Sequence, residues 1–232
     1  MARKQPSALI FDMDGVLVDS EPQHKRAKEL AFERFGIVVP EPVYDSHKGR
    51  PDEIVLPEIL LAVGATAKLA ELSRLKREFY EGMEHEVQAV AGAVDFVVWA
   101  RTRYRIAVAT SATPRNRRAS LERLGIGDQF DVIVDHGRSA RPKPDPEIFQ
   151  MAMKDLGVAA GNCWVIEDSL NGIAAAKAAG AVAVAITTTF EAARLSAAGA
   201  DVVVGSFTEL RRLLRPSKAT AEPVMTRRAT KV

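Results

Sequence analysis

The sequence of 232 residues has little cysteine and no long apolar run. Its single cysteine, Cys163, excludes an internal disulfide and any metal site built from several thiolates. Cys163 begins the apolar segment Cys-Trp-Val-Ile, which predicts a small buried side chain. No segment approaches the roughly 18 apolar residues of a membrane-spanning helix, and the first residues lack the apolar region of a secretory signal. We therefore expect a cytoplasmic protein that does not enter a membrane.

Net charge is also nearly absent, at +2, but the two signs are unevenly distributed. Residues 211–232 contain seven Lys and Arg residues against Glu222, which leaves 25 basic and 29 acidic side chains elsewhere. Because residues 216–232 lack apolar periodicity, a solvated and disordered basic tail is the favoured interpretation. Nucleic-acid binding through this tail is less favoured. A non-catalytic protein that binds a polyanion is therefore a remote alternative.

Short β-type segments alternate with helical segments along most of the chain. The predicted strands lie at about 7–12, 105–110, 131–134, 163–167, 182–186 and 201–204. The predicted helices lie at about 93–103, 114–124, 145–156, 170–179, 191–198 and 207–214. Ser206-Phe-Thr-Glu209 has the pattern of a capping box at the start of the last helix. The alternation predicts an α/β fold with a parallel sheet between two layers of helices.

One long interval, between the first strand and residue 105, interrupts this alternation with helical segments. Ser20-Glu-Pro-Gln23 is typical of a capped helix start, and apolar residues then follow at helical spacing. Further helices are predicted at about 52–63 and 67–84, although Pro57 is expected to interrupt the first of them. The sequence therefore predicts a helical insert directly after the first strand.

Two carboxylates, Asp12 and Asp14, follow the first apolar strand in the segment Ala-Leu-Ile-Phe-Asp-Met-Asp-Gly. An apolar run is expected in a buried parallel strand, but two acidic residues at its end are not. Their charges repel each other, so holding them close requires a cation or a reaction that uses both. We therefore expect a metal or catalytic site at this strand end, rather than two solvated aspartates in a turn.

Three further polar signals lie at or beyond predicted strand ends. Thr110-Ser111 ends the second strand, Lys143 follows the third strand, and Glu167-Asp168 ends the fourth. Singly, Thr110 could satisfy backbone groups, Lys143 could be solvated, and Glu167-Asp168 could cap the next helix. Together they lie at the sheet edge where ligands bind in doubly wound folds.

The segments Asp-Met-Asp-Gly-Val-Leu-Val-Asp-Ser, Lys-Pro-Asp-Pro and Glu-Asp-Ser-x-x-Gly resemble, in order and spacing, motifs of the haloacid dehalogenase-like superfamily. The resemblance covers about residues 7–190. It implies a Rossmann-like three-layer α/β core with a mainly parallel sheet, at residues 1–18 and 89–215. It also implies a mobile α-helical cap, which we place at residues 19–88.

The resemblance assigns a Mg²⁺ site and a covalent mechanism to the acidic residues. Asp12 and Asp168 would supply carboxylate ligands, with the backbone carbonyl of Asp14 as a third ligand and Glu167 binding directly or through water. Mg²⁺ prefers such hard oxygen ligands. Asp12 would attack phosphorus to form an aspartyl-phosphate, and Asp14 would serve as general acid and then general base.

The same resemblance places Thr110, the backbone N–H of Ser111 and Lys143 around the oxygens of the transferred phosphoryl group. Lys143 would also offset the charge of the crowded carboxylates. Haloalkanoate dehalogenases of this superfamily lack a carboxylate two residues after the nucleophile, because a halide needs no acid to leave. Since Asp14 is present here, phosphoryl transfer is favoured over dehalogenation.

The substrate is expected to contact residues of the cap. The candidates are His24, His47, Lys48, Arg50 and Lys76. His24 lies where resembled sugar-phosphate enzymes place a histidine, although a helix-surface position is an equal alternative. The segment Lys48-Gly49-Arg50 resembles a cap loop that enters the active site, and arginine suits phosphate or carboxylate. The arginines that flank Lys76 favour a solvated lysine there.

These observations predict a Mg²⁺-dependent phosphatase that acts on a small phosphorylated metabolite, a sugar phosphate or a phosphoglycolate-like acid. The alternative is a sugar phosphomutase of the beta-phosphoglucomutase type. Such mutases carry a cap-loop arginine for a second phosphate, about where this chain has Asp52 and Glu53. The acidic pair weakens the mutase interpretation, although Arg50 could replace the missing arginine. The oligomeric state stays open, with a monomer favoured.

Overall fold

The fold was determined as a computed structural model that describes residues 5–47, 50 and 52–214. Eight strands are present in this part of the chain. They are β1 (Ala8–Phe11), β2 (Val18–Asp19), β3 (Gln88–Ala89), β4 (Arg105–Ala109), β5 (Val132–Val134), β6 (Cys163–Glu167), β7 (Val182–Ile186) and β8 (Val202–Val204). Six of them form one sheet in the order β5-β4-β1-β6-β7-β8, and every neighbouring pair in it is parallel.

Ten α-helices occur in the same described residues. They are α1 (Glu21–Glu33), α2 (Glu41–Ser46), α3 (Asp52–Ala62), α4 (Leu69–Met83), α5 (Ala93–Arg101), α6 (Pro114–Arg123), α7 (Glu147–Leu156), α8 (Leu170–Ala178), α9 (Ala192–Ala197) and α10 (Phe207–Leu213). Two short 3₁₀ helices lie at Glu84–Glu86 and Ala160–Asn162. None of the helices in this part of the chain is long and apolar enough to cross a bilayer.

The sheet is covered by helices on both faces because its central strands are apolar on both. In β1 all four residues are buried. Leu9 and Phe11 pack in one hydrophobic cluster with residues of α5 and α10. Ala8 and Ile10 point to the opposite face and pack with residues of α7 and α8. Alternate side chains of a strand thus enter different helix layers, which confirms the predicted three-layer α/β architecture.

The six strands of the large sheet match the predicted segments to within two residues at each end. The sequence did not predict α2 or the antiparallel pair β2–β3, in which Val18 pairs with Ala89 and Asp19 with Gln88. These elements have two to six residues, too few to establish a periodic apolar pattern. The β2–β3 pair joins the two ends of the helical insert, where the chain leaves the sheet and returns to it.

Helices α1–α4 share a hydrophobic cluster separate from those on the sheet, which includes Phe32, Leu56 and Leu72. The expected interruption at Pro57 is wrong, since α3 continues through it from Asp52 to Ala62. An internal proline removes a helix hydrogen bond. Burial of apolar α3 residues on both sides of Pro57 compensates for that loss. The boundaries 19–88 of a cap remain a prediction.

The predicted cap of α1 needs a correction. Ser20 is the residue before the helix, but its side chain accepts no hydrogen bond from the first turn. In α10 the prediction is confirmed, because the Ser206 side chain accepts a hydrogen bond from the backbone N–H of Glu209. The proposed basic tail at 216–232 lies outside the described residues.

Candidate active site

The central position of β1 brings three strand ends together. Phe11 is in register with Val108 of β4 on one side and with Ile166 of β6 on the other. Asp12 follows directly, and its backbone N–H donates to the Ile166 carbonyl at 3.0 Å. Because the strands are parallel, the residues after β1, β4 and β6 meet at one edge of the sheet. The sequence motifs therefore converge there.

The turn after Asp12 requires the glycine of the first motif. Gly15 has a φ of +74°, and a Cβ added to it would lie 1.9 Å from Oδ2 of Asp168. Its carbonyl accepts a hydrogen bond from the Thr188 hydroxyl, beyond β7. A side chain at position 15 would thus displace Asp168, so this glycine keeps the two acidic motifs in contact.

Lys143 lies between two of the carboxylates. Its Nζ is 2.6 Å from Oδ1 of Asp12 and 2.6 Å from Oε1 of Glu167. Burial alone would lower the pKa of Lys143, but the charges of Asp12 and Glu167 raise it overall. The ammonium is therefore held in its charged form between the predicted nucleophile and the second acidic motif.

Glu167 is completely buried and is held by the chain that follows it. Its Oε2 atom accepts hydrogen bonds from the backbone N–H of Asp168 at 3.1 Å and from the N–H and hydroxyl of Ser169. Gly172, in the first turn of α8, lies against this carboxylate, because an added Cβ would meet Oε1 at 1.9 Å. In the motif Glu-Asp-Ser-x-x-Gly, the residues after Glu167 thus hold its carboxylate in place, and the glycine leaves room for it.

Carboxylate oxygens of Asp12, Glu167 and Asp168 lie within 4.8 Å of one another. Burial raises the pKa of Asp12 to about 7, against the opposing charge of Lys143. Burial also raises the pKa of Asp168, and the charges of Glu167 and Asp12 add to the effect. One lysine does not offset three close carboxylates, and all the donors are hard oxygens. The cluster therefore fits a divalent cation such as Mg²⁺.

Thr110 and Ser111 follow β4 at the same edge. Thr110 is buried, and its hydroxyl oxygen accepts a hydrogen bond from the backbone N–H of Ala112 at 3.0 Å. Thr110 therefore does satisfy a backbone group, as considered from the sequence. A hydroxyl that accepts one hydrogen bond still has its own proton to donate, so Thr110 remains able to bind a phosphoryl oxygen. Ser111 is exposed.

Asp14 is held by a residue whose role the sequence did not identify. The Ser20 hydroxyl donates to Oδ1 of Asp14 at 2.6 Å. Burial raises the pKa of Asp14, while the hydrogen bond from Ser20 lowers it. Ser20 was interpreted as a helix cap from its position.

The structure brings His24 and Lys76 together. Nζ of Lys76 is 2.8 Å from Nδ1 of His24 and 2.5 Å from Oδ2 of Asp52. The favoured solvated position of Lys76 is wrong, because the residue is only 5% exposed. The ring of His24 stacks on Tyr80 with centroids 4.1 Å apart. Burial and the charges of Lys76 and Lys28 hold the pKa of His24 well below its usual value.

Arg50 forms an ion pair within the insert. Its two terminal nitrogens contact Glu58 at 2.6 and 2.9 Å, and Nε2 of His47 lies 3.2 Å from the same carboxylate. Arg50 and His47 are therefore both engaged by one residue of α3. The remaining candidate, Lys48, lies outside the described residues.

Comparison with known proteins identifies the family. A model of the haloacid dehalogenase-like hydrolase family matches residues 6–180. The chain belongs to this family. The predicted superfamily and the predicted hydrolase are therefore confirmed, and the matched range contains both acidic motifs, Thr110-Ser111 and Lys143. It includes α1–α4 as well as strands β1–β6.

Relatives within the haloacid dehalogenase-like hydrolases have more than one activity in their names. The chain is 33% identical over 177 residues to a phosphorylated carbohydrates phosphatase of Thermotoga maritima, covering 75% of this chain and 81% of the relative. It is 32% identical to a beta-phosphoglucomutase of Bacillus subtilis, covering 77% and 82%. A solved beta-phosphoglucomutase from Clostridium difficile aligns with a TM-score of 0.72 at 26% identity, covering 90% of this chain and 97% of that one.

Proposed function

We propose that this protein is a Mg²⁺-dependent phosphatase that hydrolyses a small phosphorylated metabolite through an aspartyl-phosphate on Asp12. One observation carries the proposal. Lys143 links Asp12 to Glu167 at the sheet edge, and a second carboxylate, Asp14, lies two residues from Asp12 with its own hydrogen-bond donor. This set contains a nucleophile, a cation for phosphoryl oxygens and a general acid, which phosphate-ester hydrolysis requires.

The metal would be held by the carboxylates of Asp12 and Asp168 and the backbone carbonyl of Asp14, with Glu167 binding directly or through water. When bound, it would neutralise negative charge on the phosphoryl group and on the carboxylates around it. Glu167 already uses both oxygens in contacts with Lys143 and Ser169. This supports a role for Glu167 in orienting its neighbours as well as in completing the metal site.

The proposed chemical steps use Asp12 as the nucleophile and Asp14 as the general acid and base. An oxygen of the Asp12 carboxylate attacks phosphorus, and the bond from phosphorus to the leaving oxygen breaks. Asp14 donates its proton to that oxygen, so the alcohol leaves neutral. Water then attacks the aspartyl-phosphate, and Asp14 takes up the proton of the water. Inorganic phosphate leaves and Asp12 is restored.

Binding of the phosphoryl group is assigned to Thr110, Ser111 and Lys143. The Thr110 hydroxyl and the backbone N–H of Ser111 would donate to equatorial oxygens, where negative charge accumulates during transfer. Lys143 would contribute a charge-assisted hydrogen bond. Its ammonium is 2.6 Å from Asp12, so one cation can contact both the nucleophile and the phosphate it attacks.

A sugar phosphate is the substrate class we propose, and the relative named phosphorylated carbohydrates phosphatase supports it. We further propose that α1–α4 form a cap that closes over the sheet edge. Closure would exclude bulk water and bring residues of the insert to the leaving group. The contact of Ser20 with Asp14 supports this role, because it links the start of the insert to the general acid.

Phosphomutase activity is the second candidate, favoured by the similarity to beta-phosphoglucomutase. A mutase must bind a bisphosphorylated intermediate and needs a cationic clamp for the second phosphate. Here Arg50, the cation considered for that clamp, is already paired with Glu58, and Lys76 is paired with Asp52. A second phosphate would have to displace these carboxylates, so we place hydrolysis ahead of phosphoryl transfer to another sugar hydroxyl.

The proposal is tested by assaying the purified protein on p-nitrophenyl phosphate and on sugar 1- and 6-phosphates with Mg²⁺. We expect hydrolysis that is abolished by EDTA and restored by excess Mg²⁺. Metal-independent turnover would contradict the proposal. Inorganic phosphate should appear in step with the loss of sugar phosphate. Isomerised sugar phosphate with little free phosphate, stimulated by a trace of sugar bisphosphate, would establish the mutase.

A further inference from the structure

Three cations of the insert, one of them buried, are paired with acidic residues. The pairs are Lys25 with Glu41, Arg50 with Glu58 and Lys76 with Asp52. In each pair the carboxylate neutralises the cation before any substrate arrives. These residues therefore offer a substrate little unbalanced positive charge.

Lys28 is the exception among the described lysines of α1. It is 5% exposed, and its ammonium has no hydrogen bond or ion pair with another described residue. Its charge helps to lower the pKa of both His24 and Lys76, which places it near these two groups. A cation that pairs with no described acidic residue can bind a ligand without first displacing a carboxylate, so Lys28 is a candidate for an interaction with a bound ligand.

Lys28 lines a cavity of about 380 Å³ between α1, α2 and the segment after β7. This volume lies within the range of small-molecule sites, roughly 300–1,000 Å³. We call this cavity the leaving-group pocket. Its lining residues are Asp19, Glu21, Pro22, Lys25, Lys28, Tyr44, Asp45 and Thr188.

The leaving-group pocket lies beside the proposed general acid. On the core side, Thr188 lines the pocket and donates a hydrogen bond to the carbonyl of Gly15, the residue after Asp14. On the insert side, Asp19 and Glu21 line it and flank Ser20, whose hydroxyl contacts Asp14. An alcohol that receives a proton from Asp14 would therefore lie next to this pocket.

The charges of the leaving-group pocket exclude a second phosphate as its preferred ligand. Three acidic residues and two lysines line it, and one of the lysines, Lys25, is paired with Glu41. A dianion would be repelled by the carboxylates. Hydroxyl groups suit the lining better, because they donate to carboxylates and accept from an ammonium.

We propose that the leaving-group pocket binds the hydroxyl-rich leaving group of a monophosphorylated sugar, and that Lys28 is its specificity-determining cation, donating to a hydroxyl or ring oxygen. This inference rests on the proposed phosphatase function and assigns the part of the substrate that does not react. It differs from the described sequence-based candidates His24, His47, Arg50 and Lys76, because these residues contact one another or acidic residues of the insert.

The test uses Lys28→Met, which keeps the apolar stem and removes the ammonium. The value of kcat/KM is measured with Mg²⁺ for a panel of hexose monophosphates and for p-nitrophenyl phosphate, whose leaving group has no sugar hydroxyls. We expect kcat/KM for the best hexose monophosphate to fall about ten-fold more than that for p-nitrophenyl phosphate, as for the loss of a charged hydrogen bond. Lys154→Met, at an exposed position of α7, should leave the ratio unchanged.

A binding measurement separates this inference from the proposed function. Isothermal titration of Asp12→Asn protein, with and without Lys28→Met, compares a hexose monophosphate with inorganic phosphate. We expect Lys28→Met to weaken binding of the hexose monophosphate about ten-fold more than it weakens binding of inorganic phosphate. If that difference is found but the wild type hydrolyses no ester, the proposed phosphatase activity is contradicted and the proposed binding of the sugar in the leaving-group pocket is supported. Three results would contradict the proposed role of the leaving-group pocket. They are equal weakening of the binding of both ligands, binding that does not depend on the hexose, and tighter binding of a hexose bisphosphate through Lys28.

Discussion

At the scale of single residues, the nucleophile gives the most direct test of the mechanism. Asp12→Asn replaces a carboxylate with an amide, which is no nucleophile and a poorer ligand for Mg²⁺. We expect turnover to fall by several orders of magnitude, as when other covalent nucleophiles are removed, while circular dichroism shows an unchanged fold. Glu53→Gln, at an exposed position of α3, is the matched control. More than about a tenth of wild-type activity in Asp12→Asn would contradict the covalent assignment.

Gly172 gives a second residue-scale prediction. A Cβ at this position would come within 1.9 Å of the Glu167 carboxylate, so Gly172→Ala must move a group that contacts Lys143 and Ser169. We expect kcat/KM for p-nitrophenyl phosphate to fall at least about ten-fold, because small displacements of positioning groups have large effects on rate. Gly161→Ala is the control, since an added Cβ there meets nothing within 4 Å. Equal activity in the two variants would show that Glu167 tolerates displacement.

At the scale of secondary-structure elements, two serines at helix starts should behave differently. Ser206 caps α10 through the backbone N–H of Glu209, whereas Ser20 donates to Asp14 instead of capping α1. Ser206→Ala should lower the free energy of unfolding by about 1 kcal/mol and leave turnover intact.

Ser20→Ala should lower kcat without a comparable loss of stability, because it removes the hydrogen bond that orients the proposed general acid. Urea denaturation and steady-state kinetics on both variants check this pair of outcomes. A Ser20→Ala variant with full activity and reduced stability would show that Ser20 acts only as a helix residue.

At the scale of the whole molecule, metal binding should stabilise the fold. Asp12, Glu167 and Asp168 follow or end different strands, and their close approach brings like charges together. A cation that binds only the folded state adds about 2.7 kcal/mol of stability at 100 times its dissociation constant. We expect Mg²⁺ to raise Tm by several degrees in a thermal denaturation experiment. NaCl at matched ionic strength should not reproduce the shift, and Asp168→Asn should reduce it.

The basic tail at 216–232 gives the other prediction at this scale. Deleting it should leave the hydrolysis of p-nitrophenyl phosphate unchanged, because the proposed catalytic residues all lie between Asp12 and Asp168. The full chain should not be retained on a nucleic-acid column at low salt. Retention that disappears with the deletion would instead support a polyanion-binding role for the tail.

The motifs could be predicted from sequence because each is local to a strand end. Asp12 and Asp14 follow an apolar strand, and Glu167 and Asp168 end another. In a parallel sheet the carboxyl ends of the strands lie at the same edge, so these residues come together there. Elements of two to six residues, such as β2, β3 and α2, could not be predicted in this way. They depend on partners that are distant in sequence, as in the pairing of Val18 with Ala89.

The sequence by itself determined the order of strands and helices, the family and the positions of the proposed catalytic groups, since these depend on local periodicity and short motifs. Only the tertiary structure decided which charges remain for a substrate. The packing of α1 against α4 brings His24 to Lys76, 52 positions away, and leaves Lys28 buried beside a cavity. Burial and pairing of charges depend on contacts between distant segments, and no local pattern of residues specifies those contacts.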